Sequence, residues 1–250
     1  MGPFAGLDLA AKIFENTLAA KDQDHLPVAL LSYPGTIPDR TAFLLSRESS
    51  HETVNPAGAI AQVLRDLDGL GAVVAGIPCN TSHSPAIFDS IVQHLRESRC
   101  RIKLIHMVRE VEASILREHQ GMKRVGILCT TGTSKTGLYQ ACFASGGLEA
   151  VMPEAREQAE WVHDSIYNPV YGIKAVSKPV AAEARDRLIS ALGSLKQRGC
   201  EAVVLGCTEI PLALPERELI GLPLIDPTAI LARALIRETA PERLRDPLRD

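Results

Sequence analysis

The chain has 250 residues, of which 46% are hydrophobic and 23% are charged, and its net charge is −3. This length can hold two small domains or one large one. The slightly negative charge and an aromatic content of only 4% exclude the basic, aromatic surfaces that are typical of nucleic-acid-binding proteins.

Short apolar runs alternate with helical patterns along the chain. An apolar stripe predicts a helix over residues 7–20, and a further helical pattern covers residues 180–198. Asn55 and Ser84 each precede a proline, which is typical of a helix N-terminus. Continuous apolar strands between helices predict an α/β fold with parallel sheets covered on both faces. The predicted strands cover residues 27–32, 72–78, 102–107, 124–130, 148–153, 202–207 and 222–226.

Two segments repeat one pattern. "GAVVAGIPCNTSHSP" (71–85) and "CEAVVLGCTEIPL" (200–212) both contain Ala-Val-Val, a glycine, a cysteine and a threonine, followed by a proline. Cys79 and Cys207 are related by an offset of 207 − 79 = 128 residues. A second match at nearly the same offset would indicate that the chain consists of two similar halves.

That second match involves two early glycine turns. "MGP" at the N-terminus aligns with "TGT" (131–133), which pairs Gly2 with Gly132 at an offset of 132 − 2 = 130. A predicted strand precedes Gly132, whereas no equivalent precedes Gly2 in this sequence. We therefore expect the first half to lack its first strand, which would expose apolar surface and unpaired backbone groups.

The two repeated cysteines follow strands, where open α/β sheets bind their ligands. Each thiol would lie near a helix N-terminus, which favours the thiolate. If the halves face each other, one thiol can remove a proton from carbon while the other protonates the opposite face, which is stereoinversion. Asn80, Thr81 and Thr208 can donate hydrogen bonds to a thiolate or a carboxylate. Taken singly, either cysteine could be a small buried apolar residue, and its matched position favours function.

The apolar runs, the first residues and the cysteines predict an ordinary intracellular environment. No apolar run approaches the roughly 20 residues that span a bilayer, and the first residues do not resemble a secretory signal. We therefore expect a cytoplasmic protein whose six cysteines stay reduced, with no membrane or nucleic-acid partner. Without CxxC, HxxxH or HExxH spacing we expect no metal site, and without a phosphate loop or dinucleotide fingerprint we expect no cofactor.

Four segments resemble the aspartate/glutamate racemase superfamily. "PCNTSH" (78–83) and "GCTEIPL" (206–212) look like its two cysteine motifs, and "MGPFAGLDL" (1–9) resembles the end of its glycine motif with the following helix. "IPDRT" (37–41) resembles a substrate loop of the aspartate racemase branch. Glu-Ile-Pro after the second Cys-Thr is similar to that branch, whereas glutamate racemases tend to carry His-Tyr-Pro there.

The resemblance implies two pseudo-symmetric α/β domains, each a parallel sheet flanked by helices, with the active site in the interdomain cleft. We predict a first domain over 1–107 plus 215–250 and a second over 108–214. A homodimer and chemistry without pyridoxal phosphate are also implied. Cys79 would exchange the proton of the D-enantiomer and Cys207 that of the L-enantiomer, while Asn80, Thr81 and Thr208 would line the pocket.

Further charged residues are implied as substrate contacts. Arg40 would match a family arginine that binds the substrate carboxylate, a task that suits a bidentate guanidinium. Lys174 would match a lysine of similar role. The alternatives are a surface salt bridge for Arg40 and a solvated lysine at the start of a helix for Lys174. Glu209 could orient the substrate ammonium or cap a helix. His83 could tune the thiol or cap a helix, and His106 is expected to be structural.

Three functions follow, of which an amino-acid racemase is preferred, with aspartate as substrate and glutamate as a further one. Both cysteines are present, whereas arylmalonate decarboxylase relatives keep only the second. The second hypothesis is another enzyme on the same scaffold, such as a hydantoin racemase or a maleate isomerase-like enzyme. The third is a non-catalytic protein that binds a dicarboxylate, which would not need two opposed thiols.

Overall fold

The computed structural model describes residues 2–46 and 53–246. Two sheets of mainly parallel strands are flanked by helices, which confirms the predicted α/β class. Within the described residues, no helix combines the length and the apolar character needed to cross a membrane.

The first sheet contains two parallel strands, β1 (Val74–Gly76) and β2 (Lys103–Ile105). The prediction of a strand over residues 27–32 is wrong, because no ladder forms there. A strand exists only through hydrogen bonds to a neighbouring strand, and no described residue pairs with this segment. The helices of this half are α1 (Pro3–Glu15), α2 (Arg40–Ser46), α3 (Ala57–Gly69), α4 (Pro85–Glu97) and α5 (Met107–Glu118), with 3₁₀ turns at Asp22–Asp24 and Asn80–His83.

The second sheet has the order β4-β3-β5-β7-β6, and all its pairs are parallel except β6 with β7. Its strands are β3 (Arg124–Leu128), β4 (Glu149–Val151), β5 (Ala202–Leu205), β6 (Glu218–Leu219) and β7 (Leu222–Ile225). All four residues of β5 are buried, as its unbroken apolar sequence predicts for a central parallel strand.

The helices of the second half cover this sheet. They are α6 (Thr131–Lys135), α7 (Leu138–Ser145), α8 (Ala155–Glu157), α9 (Asp164–Tyr167), α10 (Ala182–Gln197), α11 (Ile210–Ala213) and α12 (Pro227–Thr239). A π-helical segment, Gln158–His163, joins α8 to α9, and a 3₁₀ turn covers Pro241–Arg243. The helix predicted over residues 180–198 corresponds to α10.

The last helix returns to the first half of the chain. Leu231 and Leu235 of α12 pack with Leu9 and Ile13 of α1 in one buried cluster. The domain boundaries drawn from the sequence stay a prediction; in the structure, β6 and β7 pair within the second sheet and α12 packs on the first. The residues that follow the carboxyl ends of β1 and β5 line one cleft between the two sheets.

Candidate active site

The structure brings all eight residues selected from the sequence into the lining of one pocket. They are Arg40, Cys79, Asn80, Thr81, Lys174, Cys207, Thr208 and Glu209. The lining also includes five residues that were not predicted as site residues: Gly2, Thr41, Pro78, Thr130 and Tyr167. Both halves of the chain contribute, so the pocket exists only in the assembled fold.

Cys79 lies at the turn after β1, immediately before the 3₁₀ turn. Burial by itself would raise the pKa of the Cys79 thiol, but the Arg40 guanidinium and hydrogen bonds from Ser82 hold it below its ordinary value. Arg40 hydrogen-bonds the sulfur and has a raised pKa, so it stays cationic. Cys79 is therefore the thiol that ionises first.

Cys207 follows β5 in the matching position and has the opposite electrostatic environment. Its Sγ donates a hydrogen bond to Oε2 of Glu209 at 3.0 Å. The pKa of the Cys207 thiol is raised well above its ordinary value. Burial is the largest cause, and the negative charge of Glu209 is the second. Cys207 therefore keeps its proton to higher pH than Cys79 does.

Glu209 joins three side chains of the second half. Nζ of Lys174 donates to its Oε1 at 2.8 Å, and the Thr208 hydroxyl donates to Oε2 at 3.4 Å. Burial would raise the pKa of Glu209, but Lys174 and the bond from Cys207 outweigh it and lower that pKa. Lys174 also lies 5.2 Å from the centre of the Tyr167 ring. Glu209 is thus an ionised carboxylate in contact with the Cys207 thiol.

Two buried donors in the pocket lining have no hydrogen-bond partner among the described residues. They are Nε of Arg40 and Nδ2 of Asn80. The amide oxygen of Asn80 accepts a hydrogen bond from the Tyr139 hydroxyl at 2.6 Å, which orients the amide NH₂. Unpaired buried donors are costly, so an anionic ligand that accepts from both would be favoured.

Four threonine hydroxyls form a hydrogen-bond network between the two halves of the chain. Thr41 donates to Thr130 at 3.1 Å, and Thr81 lies 2.8 Å from Thr133. The 3.2 Å contact between Thr130 and Thr133 closes the network. Because hydroxyl groups can donate or accept, the network can adjust its hydrogen bonds to a bound carboxylate.

The two glycines matched in the repeat both lie at close approaches between the halves. A Cβ at Gly2 would clash with Oε1 of Glu209, a side-chain atom that Lys174 holds by an ion pair. A Cβ at Gly132 would lie 2.9 Å from the Cα of Thr41, which is backbone. At the two matched positions, Gly2 leaves room for the Glu209 carboxylate and Gly132 leaves room for the backbone of Thr41.

Alanine substitutions should separate these two roles. Gly2→Ala should lower kcat by displacing the Glu209 carboxylate from Lys174 and Cys207. Gly132→Ala should cost roughly 1–3 kcal/mol of unfolding free energy, because backbone must shift. Thermal unfolding and initial rates measure both, and Gly193→Ala is the control, as nothing lies within 4 Å of its added Cβ. A Gly2→Ala enzyme with unchanged kcat would contradict the assignment.

The two histidines near the pocket form hydrogen bonds with the backbone. Nδ1 of His83 donates to the carbonyl oxygen of Cys79 at 2.9 Å, and burial lowers the pKa of His83 to about 3. Burial also lowers the pKa of His106 to about 4, and its Nδ1 accepts from the backbone N–H of Arg109 at the start of α5. Both rings are therefore neutral near pH 7, and His83 supports the backbone of Cys79 without adding charge.

The other cysteines do not line this pocket. Burial raises the pKa of Cys129, Cys142 and Cys200, as expected for structural thiols. Among the described residues, no group of three potential ligands could hold a metal ion.

Of the residues missed from the sequence, Thr130 had a usable signal and Tyr167 had none. Thr130 lies two residues before Gly132, so the repeat could have selected it as part of the second glycine turn. Tyr167 ends the helical segment that contains the π turn, and nothing in the first half matches that segment. Its hydroxyl donates to Oδ2 of Asp39 at 3.2 Å, a contact that only the fold creates.

Known proteins resemble this chain in both sequence and fold. The family model described as "Asp/Glu/Hydantoin racemase" matches residues 1–235. Picrophilus torridus aspartate racemase is 25% identical, with a TM-score of 0.75 over 95% of this chain and 90% of its own. Glutamate racemase isoform RacE1 from Bacillus anthracis has the same fold, with a TM-score of 0.61 at 14% identity over 98% of this chain and 82% of its own.

A sequence relative extends the comparison to glutamate racemases. The glutamate racemase of Pseudomonas paraeruginosa is 30% identical over 177 residues, which are 67% of this chain and 58% of that protein. The match therefore spans less than two thirds of this relative's length.

Proposed function

The chain belongs to the Asp/Glu/Hydantoin racemase family, whose racemases are isomerases, and we propose that it racemises aspartate, with glutamate as a further substrate, without a cofactor. The observation that carries the proposal is the opposite pKa shift of two thiols in one pocket. Environments that push apart the pKa values of two acid/base groups give one the role of base and the other that of acid. The pair then titrates as a unit.

The proton transfers follow from those protonation states. The Cys79 thiolate removes the α-proton of the D-enantiomer, and the Cys207 thiol protonates the opposite face of the planar carbanion. When the L-enantiomer is released, Cys79 is a thiol and Cys207 is a thiolate. This state of the enzyme reacts with the L-enantiomer in the reverse direction. Total charge and proton count of the pair are the same in both states, so the loss of one proton from Cys79 and the gain of one proton by Cys207 return the enzyme to its starting form without net proton uptake.

The unpaired donors support a dicarboxylate substrate. Nε of Arg40 and Nδ2 of Asn80 are both buried without a described partner, and Arg40 can contact a carboxylate with two N–H groups. Lys174 is already bound by Glu209 at 2.8 Å, so a second substrate carboxylate would share it. Hydrogen bonds that strengthen as charge builds on the substrate stabilise the transition state.

The assay that tests this function follows both proton exchange and stereochemistry. Purified protein is incubated with L-aspartate in D₂O without added cofactor, and the loss of the α-proton signal is recorded together with the formation of D-aspartate. Exchange together with D-aspartate is the expected result. Parallel reactions with L-glutamate, a 5-substituted hydantoin and maleate test the other enzymes of this scaffold. Binding of aspartate without turnover of any of them would instead indicate a non-catalytic dicarboxylate-binding protein.

Removal of the Glu209 charge should shift the pH profile of kcat/KM downward. Glu209 raises the pKa of Cys207 and, less directly, that of Cys79, so Glu209→Gln lowers both. The alkaline limb, where the protonated thiol is lost, should move to lower pH by more than the acid limb. Glu216→Gln is the control, since Glu216 pairs with Arg185 outside the pocket. An alkaline limb that stays in place would show that Glu209 does not act through Cys207.

A cytoplasmic homodimer is part of the same proposal. Light scattering coupled to size-exclusion chromatography should give twice the 27.0 kDa of one chain. A monomeric mass with full activity would remove the dimer from the proposal and leave the chemistry intact.

A further inference from the structure

Arg40 lies between two residues that contact the second half of the chain. Asp39, directly before it, accepts a hydrogen bond from the Tyr167 hydroxyl at 3.2 Å. Thr41, directly after it, donates to the Thr130 hydroxyl at 3.1 Å. The position of Arg40 therefore depends on the second half, although Arg40 itself belongs to the first.

The carboxylate of Asp39 uses its two oxygens for two different contacts. Oδ1 accepts from the backbone N–H of Ala42 at 2.7 Å and so caps the start of α2. Oδ2 accepts from Tyr167. Burial raises the pKa of the Tyr167 phenol, which therefore keeps its proton and can donate. Each oxygen of the carboxylate thus has its own donor.

The same carboxylate lies near the guanidinium of Arg40. Burial would lower the pKa of Arg40, but the Cys79 sulfur and, after it, the Asp39 carboxylate raise it. Asp39 and Arg40 also line a neighbouring cavity of about 450 Å³ together, and Nε of Arg40 has no hydrogen-bond partner among the described residues. An Asp39 carboxylate without its phenol donor would therefore attract the guanidinium, because charged hydrogen bonds are roughly twice as strong as neutral ones.

The Cys79 thiol depends on the present position of that guanidinium. Burial would raise the pKa of Cys79, and Arg40 is the largest influence that lowers it. Ser82 in the same turn lowers it further, whereas Glu209 from the turn after β5 raises it. The ring of His83, which donates to the Cys79 carbonyl oxygen, is neutral near pH 7 because burial lowers its pKa to about 3. Movement of the guanidinium away from the sulfur would therefore raise the pKa of the thiol.

We propose that Tyr167 is a positioning residue for Arg40. Its hydroxyl occupies the Asp39 carboxylate, and the Arg40 guanidinium therefore stays on the sulfur of Cys79. A contact between the two halves would thus set the strength of a base that lies entirely in the first half. The inference rests on the proposed function, because Cys79 is the base of that reaction.

The test removes the hydroxyl and keeps the ring. Tyr167→Phe should retain the stack on His163, with 4.8 Å between the ring centres, and the 5.2 Å approach of Lys174 to the ring. The rate of Cys79 alkylation by iodoacetamide is measured as a function of pH, and the modified peptide is identified by mass spectrometry. This rate reports the thiolate fraction without turnover. We expect its midpoint to rise by about 0.5–1 pH unit, which corresponds to the net strength of one hydrogen bond.

Two further variants distinguish positioning from a merely structural role. Asp39→Asn keeps an oxygen that can cap α2 and removes the charge that attracts the guanidinium, so it should not raise the midpoint. Combined with Tyr167→Phe, it should restore the midpoint of the unmodified protein. Tyr171→Phe is the matched control, because the Tyr171 hydroxyl also donates to a carboxylate, that of Asp164, and both lie outside the pocket lining. Its midpoint should not move.

The alkylation profiles decide the role of Tyr167 without any substrate. An unchanged midpoint in Tyr167→Phe, or a rise that Asp39→Asn does not reverse, would overturn the proposal. If Tyr167→Phe does not fold, Asp39→Asn decides alone: an unchanged or lower midpoint supports the proposal, and a rise by about 0.5 pH unit overturns it. Formation of D-aspartate is measured separately, so a failure of the proposed function would appear in the unmodified protein and leave the alkylation result readable.

Discussion

Replacement of either pocket cysteine by serine should reduce racemisation by roughly 10²–10⁴-fold, the range associated with loss of general acid–base catalysis. A serine hydroxyl is too weak an acid to form an alkoxide base at neutral pH, while its size and position are nearly those of the cysteine thiol. Two opposed groups are needed for inversion, so each single variant should lose it. The measurement is the formation of D-aspartate from L-aspartate.

The two variants should differ in proton exchange. Cys207→Ser keeps the low-pKa thiol Cys79 beside Arg40, so it should still exchange the α-proton of D-aspartate near neutral pH. Cys79→Ser keeps only Cys207, whose pKa is raised, so its exchange of L-aspartate should appear only as pH rises. This difference comes from Arg40 on one side and Glu209 on the other.

The control for both variants is Cys100→Ser. Cys100 is a free, partly exposed cysteine that packs against the apolar cluster of α3, β1 and α4. It is outside the pocket lining. Its replacement makes the same chemical change and should leave kcat unchanged. Normal racemisation by both Cys79→Ser and Cys207→Ser would sink the two-thiol mechanism.

Replacement of Arg40 should affect substrate binding and the ionisation of Cys79 together. Arg40→Gln removes the charge that lowers the pKa of Cys79, so this pKa rises and the acid limb of the kcat/KM profile moves to higher pH. The substrate carboxylate also loses a charged hydrogen bond, an interaction worth about 1.5–3 kcal/mol or roughly 10–150-fold in affinity. KM should therefore rise by that factor.

Arg40→Lys separates the two effects. A lysine keeps the positive charge but lacks the two-pronged guanidinium, so KM should rise while the acid limb moves little. Arg101→Gln is the control for charge loss alone, since the Arg101 side chain is 81% exposed and pairs with Asp68. An acid limb that stays in place in Arg40→Gln would show that Arg40 does not set the protonation of Cys79. The opposite shifts expected for Arg40→Gln and Glu209→Gln make the pair of profiles more informative than either alone.

Much of the architecture was predictable because it depends on local pattern. Six of the seven predicted strands appear in the two sheets, since an unbroken apolar run between helices has few other stable arrangements. The segment 27–32 has the composition of a strand yet forms none. Composition gives a segment its preference for extended backbone, but a ladder needs a neighbour, and among the described residues this segment has no paired strand.

The sequence by itself determined the two cysteines as a matched pair. Each follows an Ala-Val-Val strand, so the strand end alone sets its position at the edge of the sheet. The same reasoning selected Asn80 and Thr208, which directly follow the cysteines. Their positions need no long-range information because a strand and the turn after it are local structures.

Only the tertiary structure decided which thiol has the lowered pKa and which has the raised one. Arg40 is 39 residues before Cys79 in the sequence, and Lys174 is 35 residues before Glu209. The field at a thiol depends on distances in space and on burial, and neither is encoded in the spacing of these residues along the chain. Two cysteines in matching sequence contexts therefore acquire opposite pKa shifts once the halves close around them.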